Sequence, residues 1–338
     1  MRRGIAALAA LVAFAGGAVA RAAGPPVATF SIAARDPETG DLGVAVESKF
    51  FAVGAVVPWA RAEVGAIATQ ASANTTFGPR GLALLQTGLD PAAVLDSLLA
   101  ADPGRDRRQV GIVDARGRAQ SYTGSGCQAW AGHRCGANYA VQGNILAGEP
   151  VVEAMERAFL GARGGLAGRL LAALEAGQAA GGDSRGQESA ALLVVRAGAG
   201  YGGFSDRYCD LRVDDHPRPI EELRRLYILW LPNALILEGY RLVDAGRFED
   251  AIARGEEAIA ADPGSAEGYY DTACYLARAG HGEPALSRLA EAIARDPAIA
   301  RRAADDPDFE SLRGTPRFRE LTGPGGGPDH PAPGTRAH

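Results

Sequence analysis

Of the 35 basic residues in the chain, Lys49 alone is a lysine; the others are arginine. Arginine keeps its charge under all ordinary conditions, whereas a partly desolvated lysine can give up its proton and serve as a base. Lys49 is therefore either a survivor of an arginine-biased composition at a strand end or a residue held where arginine would not serve. Upstream, Thr29 opens the stretch TFSIAAR. A threonine hydroxyl is a weak nucleophile until an amine takes its proton, and that amine can be the threonine's own α-amino group once the preceding chain is removed. Thr29 and Lys49 thus form a candidate nucleophile–base pair.

The elements that must position this pair can be read from pattern. TFSIAA and LGVAVES flank DPETG, in which Pro37 presets a turn and Gly40 is free to take positive φ. The turn lies midway between residues 29 and 48, so the hairpin returns the chain to Thr29 at Ser48 and Lys49. One residue of register decides which of these two shares a face with Thr29. GAIATQAS reads as a strand and GPRGLALLQTG as a helix. DPAAVLDSLLAAD reads as a second helix, with Asp90 as its cap and Pro91 at its first position. A hairpin around Arg116-Gly117, the strand NYAVQGNIL, helices VVEAMERAFLG and LAGRLLAALEAGQAAG, and strands SAALLVVRAG and YCDLRVDD complete the segment. Strands paired early and late with helices between them predict an α+β domain over residues 27–225, with antiparallel sheets covered by helices on both sides.

At the strand ends of such a domain, Gln70, Asn74 and Asn144 could orient a substrate amide or hold an oxyanion. The competing reading is ordinary turn hydrogen bonding, which asparagine does routinely. Asp183, Arg185 and Ser189 precede a core strand and could line the same mouth.

Beyond residue 226 the pattern is purely helical and repeats. Gly246, Ala251, Ala258 and Pro263 recur 34 residues later as Gly280, Ala285, Ala292 and Pro297. This is the tetratricopeptide period, expected over residues 226–322, and such stacks present a groove suited to an extended peptide or a partner protein. The glycine- and proline-rich residues 323–338 read as a disordered tail.

The N-terminus, MRRGIAALAALVAFAGGAVARAAG, has two arginines, a short apolar run and an Ala18-Val19-Ala20 site. It reads as a signal peptide over residues 1–23, too short for a stable membrane span, which places the mature protein in the periplasm or outside the cell with no membrane attachment. In that oxidising setting Cys127 and Cys135, in CQAWAGHRC, are expected to close a small disulfide loop. The absence of a C-x-x-C pair and the scatter of five histidines argue against a metal, and no glycine loop suited to cradling phosphate is present, so no cofactor is expected. A net charge of −5 without a basic patch excludes nucleic acid as a partner. The favoured signal cleavage leaves RAAGPPVA ahead of Thr29, so a free Thr29 requires self-cleavage or further trimming.

The stretches TFSIAARDPETGDLGVAVESKFFAVGAVVPWA, TQASANTTFGPRGL, WAGHR, VQGNIL, SAALLVV and LRVDDHPRPIEELRRL together resemble a bacterial family catalogued as domain of unknown function 1028. The resemblance implies a four-layer αββα sandwich of the N-terminal-nucleophile hydrolase type, with Thr29 matching the family's leading threonine. By analogy with proteasome-type relatives it implies assistance from an acidic residue and a lysine, for which Glu47 and Lys49 lie on comparable ground. The functional expectation is an exported hydrolase of amide bonds whose helical repeats bind a peptide or protein. The alternative is a non-catalytic periplasmic binding or assembly protein.

Overall fold

The structure, a computed structural model, describes residues 29–323. The expected signal peptide and all but the first residue of the expected tail lie outside the described residues.

The first hairpin forms as the sequence predicts. Strands β1 (Thr29–Arg35) and β2 (Leu42–Ser48) pair antiparallel from Arg35↔Leu42 to Thr29↔Ser48. The turn closes with the Gly40 N–H donating to Asp36 O at 2.9 Å, Gly40 at φ 78°, and the Asp36 carboxylate accepting from the Glu38 N–H. β3 (Pro58–Arg61) and β4 (Gly65–Ala71) follow, then helices α1 (Phe77–Gln86) and α2 (Pro91–Ala100). The side chain of Asp90 caps α2 by accepting from the Ala93 N–H at 2.8 Å. Strands β5 (Arg108–Asp114) and β6 (Ala119–Thr123) turn through Gly117, and β7 (Gly132–Gly136) pairs with β8 (Tyr139–Asn144). Helices α3 (Pro150–Gly161) and α4 (Leu166–Ala179) lead to β9 (Ser189–Val195) and β10 (Arg207–Val213).

These strands make two antiparallel sheets. One has six strands in the order β10-β9-β2-β1-β8-β7, the other four in the order β3-β4-β5-β6. Side chains alternate between faces along each strand, and the sequence alternation divides the core accordingly. Phe30, Ile32 and Ala34 of β1 pack with Val152, Met155, Phe159, Leu170 and Leu174 of α3 and α4. Ala33, Val44 and Val46 face the other way, onto Ala66, Ala68 and Val113 of the four-stranded sheet. Ile67 and Ile112, on the far side of that sheet, pack with Phe77, Leu82, Val94 and Leu98 of α1 and α2. An α+β domain of two facing antiparallel sheets with helices outside is therefore as expected. The edge strands β3 and β7 are not: proline at residue 58 and glycines at both ends of β7 mask their strand character.

The expected disulfide does not form: Cys127 and Cys135 are both free. Cys127 sits in a turn folded over residues 106–108, its thiol directed at Arg108 O at 3.4 Å. WAGHRC, read as a closed loop, is instead largely edge strand, and β7 carries Cys135 away from that turn, opposite Ala140.

Helix α5 (Pro219–Asp244) runs without interruption across the boundary expected at residues 225/226. It is tied to the sheet domain by Arg224–Glu175, by Arg196–Glu238 at 3.0 Å and by Tyr208 stacked edge-on against Trp230. α6 (Phe248–Ala261), α7 (Ala266–Arg278), α8 (Gly282–Arg295), α9 (Ile299–Asp305) and α10 (Pro316–Thr322) complete a helical region. The internal periodicity is visible in its turns. Gly246 and Gly280 both take positive φ, and the following N–H groups of Arg247 and His281 bond back to Leu242 O and Leu276 O. Ala251 and Ala285, then Ala258 and Ala292, are buried where the paired helices touch. Among the described residues no helix is long and apolar enough to cross a membrane.

Candidate functional site

Pairing places four polar residues in one row across the six-stranded sheet: Ser189↔Ser48, Ser48↔Thr29 and Thr29↔Asn144. Directly opposed residues point to the same face, and this row faces the space between the sheets. The Thr29 hydroxyl donates to Ser48 Oγ at 3.1 Å, and both residues are buried. The register left open by the sequence is thus resolved in favour of Ser48, and Lys49 lies outside the Thr29 row.

Beneath this row the inter-sheet space is polar before it becomes apolar. Ser31 and Gln142 of the six-stranded sheet meet Gln70 and Gln109 of the four-stranded one, all of them buried. A directional hydrogen-bond chain links them. The Gln142 amide donates to Ser31 Oγ (2.6 Å), Ser31 to Gln70 Oε1 (2.5 Å), Gln70 to Gln109 Oε1 (2.9 Å) and Gln109 to Thr123 Oγ1 (2.9 Å). Thr123 in turn meets His133 Nδ1 at 2.9 Å on the surface. Gly111 makes room for this layer, since a Cβ there would collide with the Gln142 amide. Buried polar groups are costly unless paired, and of this layer's side-chain atoms Gln142 Oε1 is the one without a hydrogen-bond partner. The layer holds Thr29 from below, since Gln70 Nε2 also donates to Thr29 O at 3.2 Å.

The expected amide residues divide. Gln70 lies under the site, but its donors and acceptor are engaged in the chain, so it positions Thr29 and has no N–H left for an oxyanion. Asn74 is elsewhere: its Nδ2 donates to Asp102 Oδ2 at 3.1 Å and its Oδ1 accepts from the Thr76 hydroxyl at 2.7 Å, the turn role foreseen as the competing reading. Asn144 is in the row, with Nδ2 donating to Gln109 Oε1 at 3.1 Å. Ser189 is in the row as well, but it fastens the turn after β2 by donating to Phe50 O (2.5 Å) and accepting from the Val53 N–H (3.0 Å).

The remaining expected residues gather on the other side of the strand end. Lys49 Nζ donates to Gln187 O at 3.2 Å and pairs with Glu188 at 3.7 Å, with 43% of its side chain exposed. Asp183 is buried; it accepts from the Lys49 N–H at 3.0 Å and is clamped by the Arg185 guanidinium at 2.9 Å. Glu47, opposite Phe30 and one residue out of the Thr29 row, points to the helix-covered face. It is 0% exposed and neither carboxylate oxygen has a hydrogen-bond partner. Burial, and secondarily the charge of Asp183, push its carboxyl well above the ordinary carboxylate range, against the opposing pull of Arg185 and Lys49. Glu47 and Lys49 are therefore brought to each other's neighbourhood and not to the Thr29 hydroxyl.

The sequence reading missed Ser31, Gln109, Gln142 and Thr123, and it set His133 aside as a loop histidine. The available signal was the run of polar residues inside strands that otherwise read as core, in VQGN, FSI and RQVGIV. Among the described residues, the trio whose ligand atoms lie within 4.8 Å of one another is Cys274, Asp306 and Asp308, in the helical region and away from Thr29.

Comparison with known proteins supports the sheet domain and is silent on chemistry. No curated protein matches the chain. The crystal structure of protein SPO2555 from Silicibacter pomeroyi is similar at 35% identity and a TM-score of 0.54, covering 59% of this chain and 88% of that one. The family of unknown function DUF1028 matches residues 29–223, from the first residue of β1 into α5, and the chain belongs to that family.

Proposed function

We propose that the protein is an exported hydrolase of amide bonds in which Thr29, freed by proteolytic removal of the residues ahead of it, is the nucleophile. The observation that carries this reading is the Thr29 hydroxyl at the head of β1, 3.1 Å from Ser48 Oγ and set above a buried polar layer between two facing sheets. Facing antiparallel sheets flanked by helix pairs, with a strand-opening threonine between them, support a sandwich of the N-terminal-nucleophile type. In the reaction, Thr29 Oγ1 attacks the amide carbon while the freed α-amino group accepts the hydroxyl proton, with Ser48 Oγ as the neighbouring relay. The C–N bond breaks, the leaving amine takes that proton, and water hydrolyses the resulting ester. The α-amino group is the base because Lys49 is held by Glu188 and Gln187. The test is turnover of an amide-substrate library by the processed protein and its Thr29→Ala and Thr29→Ser variants. The serine variant retains measurable activity and the alanine variant has none; equal activity in all three ends the proposal.

A second reading rests on a different observation. Helix α5 exposes the apolar side chains of Ile228, Leu229 and Leu237 to solvent ahead of the helical repeat, and tetratricopeptide-like units suit capture of an extended peptide or partner protein. On this reading the chain is a periplasmic binding or assembly protein. A full-length Thr29→Ala variant that still captures such a peptide, with no turnover by the wild type, would favour it.

A further inference from the structure

Gln109 governs which end of the Asn144 amide faces Thr29. Its Nε2 donates to Thr123 Oγ1 at 2.9 Å, Gly143 O at 2.7 Å and Gly132 O at 3.1 Å; the two carbonyls can only accept, so the amide cannot reverse without setting oxygen against oxygen. Gln109 Oε1 is thereby turned upward, where it accepts from Gln70 Nε2 at 2.9 Å and Asn144 Nδ2 at 3.1 Å. Asn144 must then direct its nitrogen down to Gln109, which leaves Oδ1 for the level of Thr29. An asparagine so held presents a hydrogen-bond acceptor.

The backbone decides what that acceptor meets. The Arg35 N–H donates to Asn138 O at 2.9 Å across the β1–β8 seam. The pairing continues without a bulge from Ala34↔Tyr139 to Thr29↔Asn144. In antiparallel pairs every second residue turns its N–H to the same neighbour, so Ala33, Ser31 and Thr29 direct their nitrogens to β8. The Thr29 nitrogen therefore lies on the Asn144 side of the strand with Asn144 O as its ladder partner; freeing the amine adds further N–H groups, and the Asn144 side chain shares the Thr29 face.

Resting on the nucleophile reading above, we propose that Gln109 is a positioning residue that locks Asn144 with its carbonyl toward Thr29, making Asn144 the acceptor for the freed Thr29 α-ammonium. Asn144 is then a site for N–H donors, which removes it from the oxyanion role that its residue type first suggests. An acceptor on the ammonium favours the charged form and raises the amine's pKa, so the pair Gln109–Asn144 sets the pH at which the base becomes available.

The test needs no substrate. A chain in which residues 1–28 are replaced by one methionine exposes Thr29 after methionine removal, and periodate selectively cleaves an amino-terminal threonine through its unprotonated amine. The pH profile of that cleavage, followed by intact mass, reads the amine's pKa. Asn144→Ala and Gln109→Met are each expected to lower the profile's midpoint by about one pH unit, the size expected for loss of one hydrogen bond to a charged group. The double variant is expected to fall no further than either single one. A purely structural role for Gln109 would lower thermal stability and leave the midpoint in place. Unchanged midpoints, or additive shifts, overturn the inference. Should Gln109→Met not fold, Asn144→Ala alone decides, since an unshifted midpoint there is equally fatal. Failure of the nucleophile reading is seen separately, as a native chain that does not begin at Thr29.

Discussion

The two faces of the six-stranded sheet meet the same strand end with opposite chemistry. On the inter-sheet face, Thr29, Ser48 and Asn144 sit over a layer in which nearly every amide and hydroxyl is paired. On the helix-covered face, one residue away, Glu47 is buried with both oxygens unpartnered, and Lys49 and Arg185 are engaged by Glu188 and Asp183. The polar residues that looked like one constellation in the sequence are two, separated by the pleat of β2. A single step along a strand exchanges faces, so the hairpin return for Lys49 and the family analogy for Glu47 brought them next to Thr29 on paper, while the register keeps them off its face. The paired face is built to hold a reactive group still. On the other face, the unpartnered Glu47 carries a cost whose size depends on pH.

Changes at the two faces should therefore behave differently. The largest effect is expected from Thr29→Ala, which should lower amide turnover by roughly 10³-fold or more while circular dichroism and the melting temperature remain close to wild type. Retained turnover would shift the chemistry to the other face. Next, Gln109→Leu removes one member of the buried network and strands the Gln70 and Asn144 donors and two carbonyls. A urea melt should register a loss of about 3–5 kcal/mol, by the usual cost of orphaned buried polar groups. A loss under about 1 kcal/mol would mean the layer is not closely coupled.

Glu47→Gln should act in the opposite direction and only at higher pH. Because burial raises the folded-state pKa of Glu47, the unfolded chain ionises first as pH rises. Stability is then lost progressively above the ordinary glutamate range and up to the raised folded value. The glutamine variant should therefore melt higher than wild type at pH 8, with the two curves converging near pH 4. A variant less stable than wild type at pH 8 would show that Glu47 holds a charge-paired partner. The smallest effects are expected at Lys49 and Cys135. Lys49→Met breaks a half-exposed pair and should change stability by less than about 1 kcal/mol, with turnover within about twofold. Cys135→Ser should stay within about 0.5 kcal/mol, whereas loss of a true loop disulfide would cost about 2–4 kcal/mol.

Much of this architecture was legible before the fold. The DPETG turn, the Asp90-Pro91 helix start and the purely helical character of the C-terminal region each rest on local chemistry, and each appears where pattern placed it. The return of the chain to Thr29 at Ser48 and Lys49 followed from the hairpin, and the register chose Ser48. What escaped depends on contacts between distant strands. Ser31, Gln109 and Gln142 look like interruptions of core strands until two sheets set them face to face. Asn74 and Asn144 have the same residue type and similar strand-end placement, yet one caps a local turn and the other joins Thr29. The cysteine pair failed for a related reason: spacing suited a closed loop, but pairing with β8 drew Cys135 into an edge strand.

The most direct test of the account is the amino terminus of the protein recovered from the cells that make it, read by intact mass together with its amide turnover. The account predicts a chain beginning at Thr29, and turnover that appears only with that species. An active chain that begins at residue 21 or 23 and keeps the peptide ahead of Thr29 would contradict it.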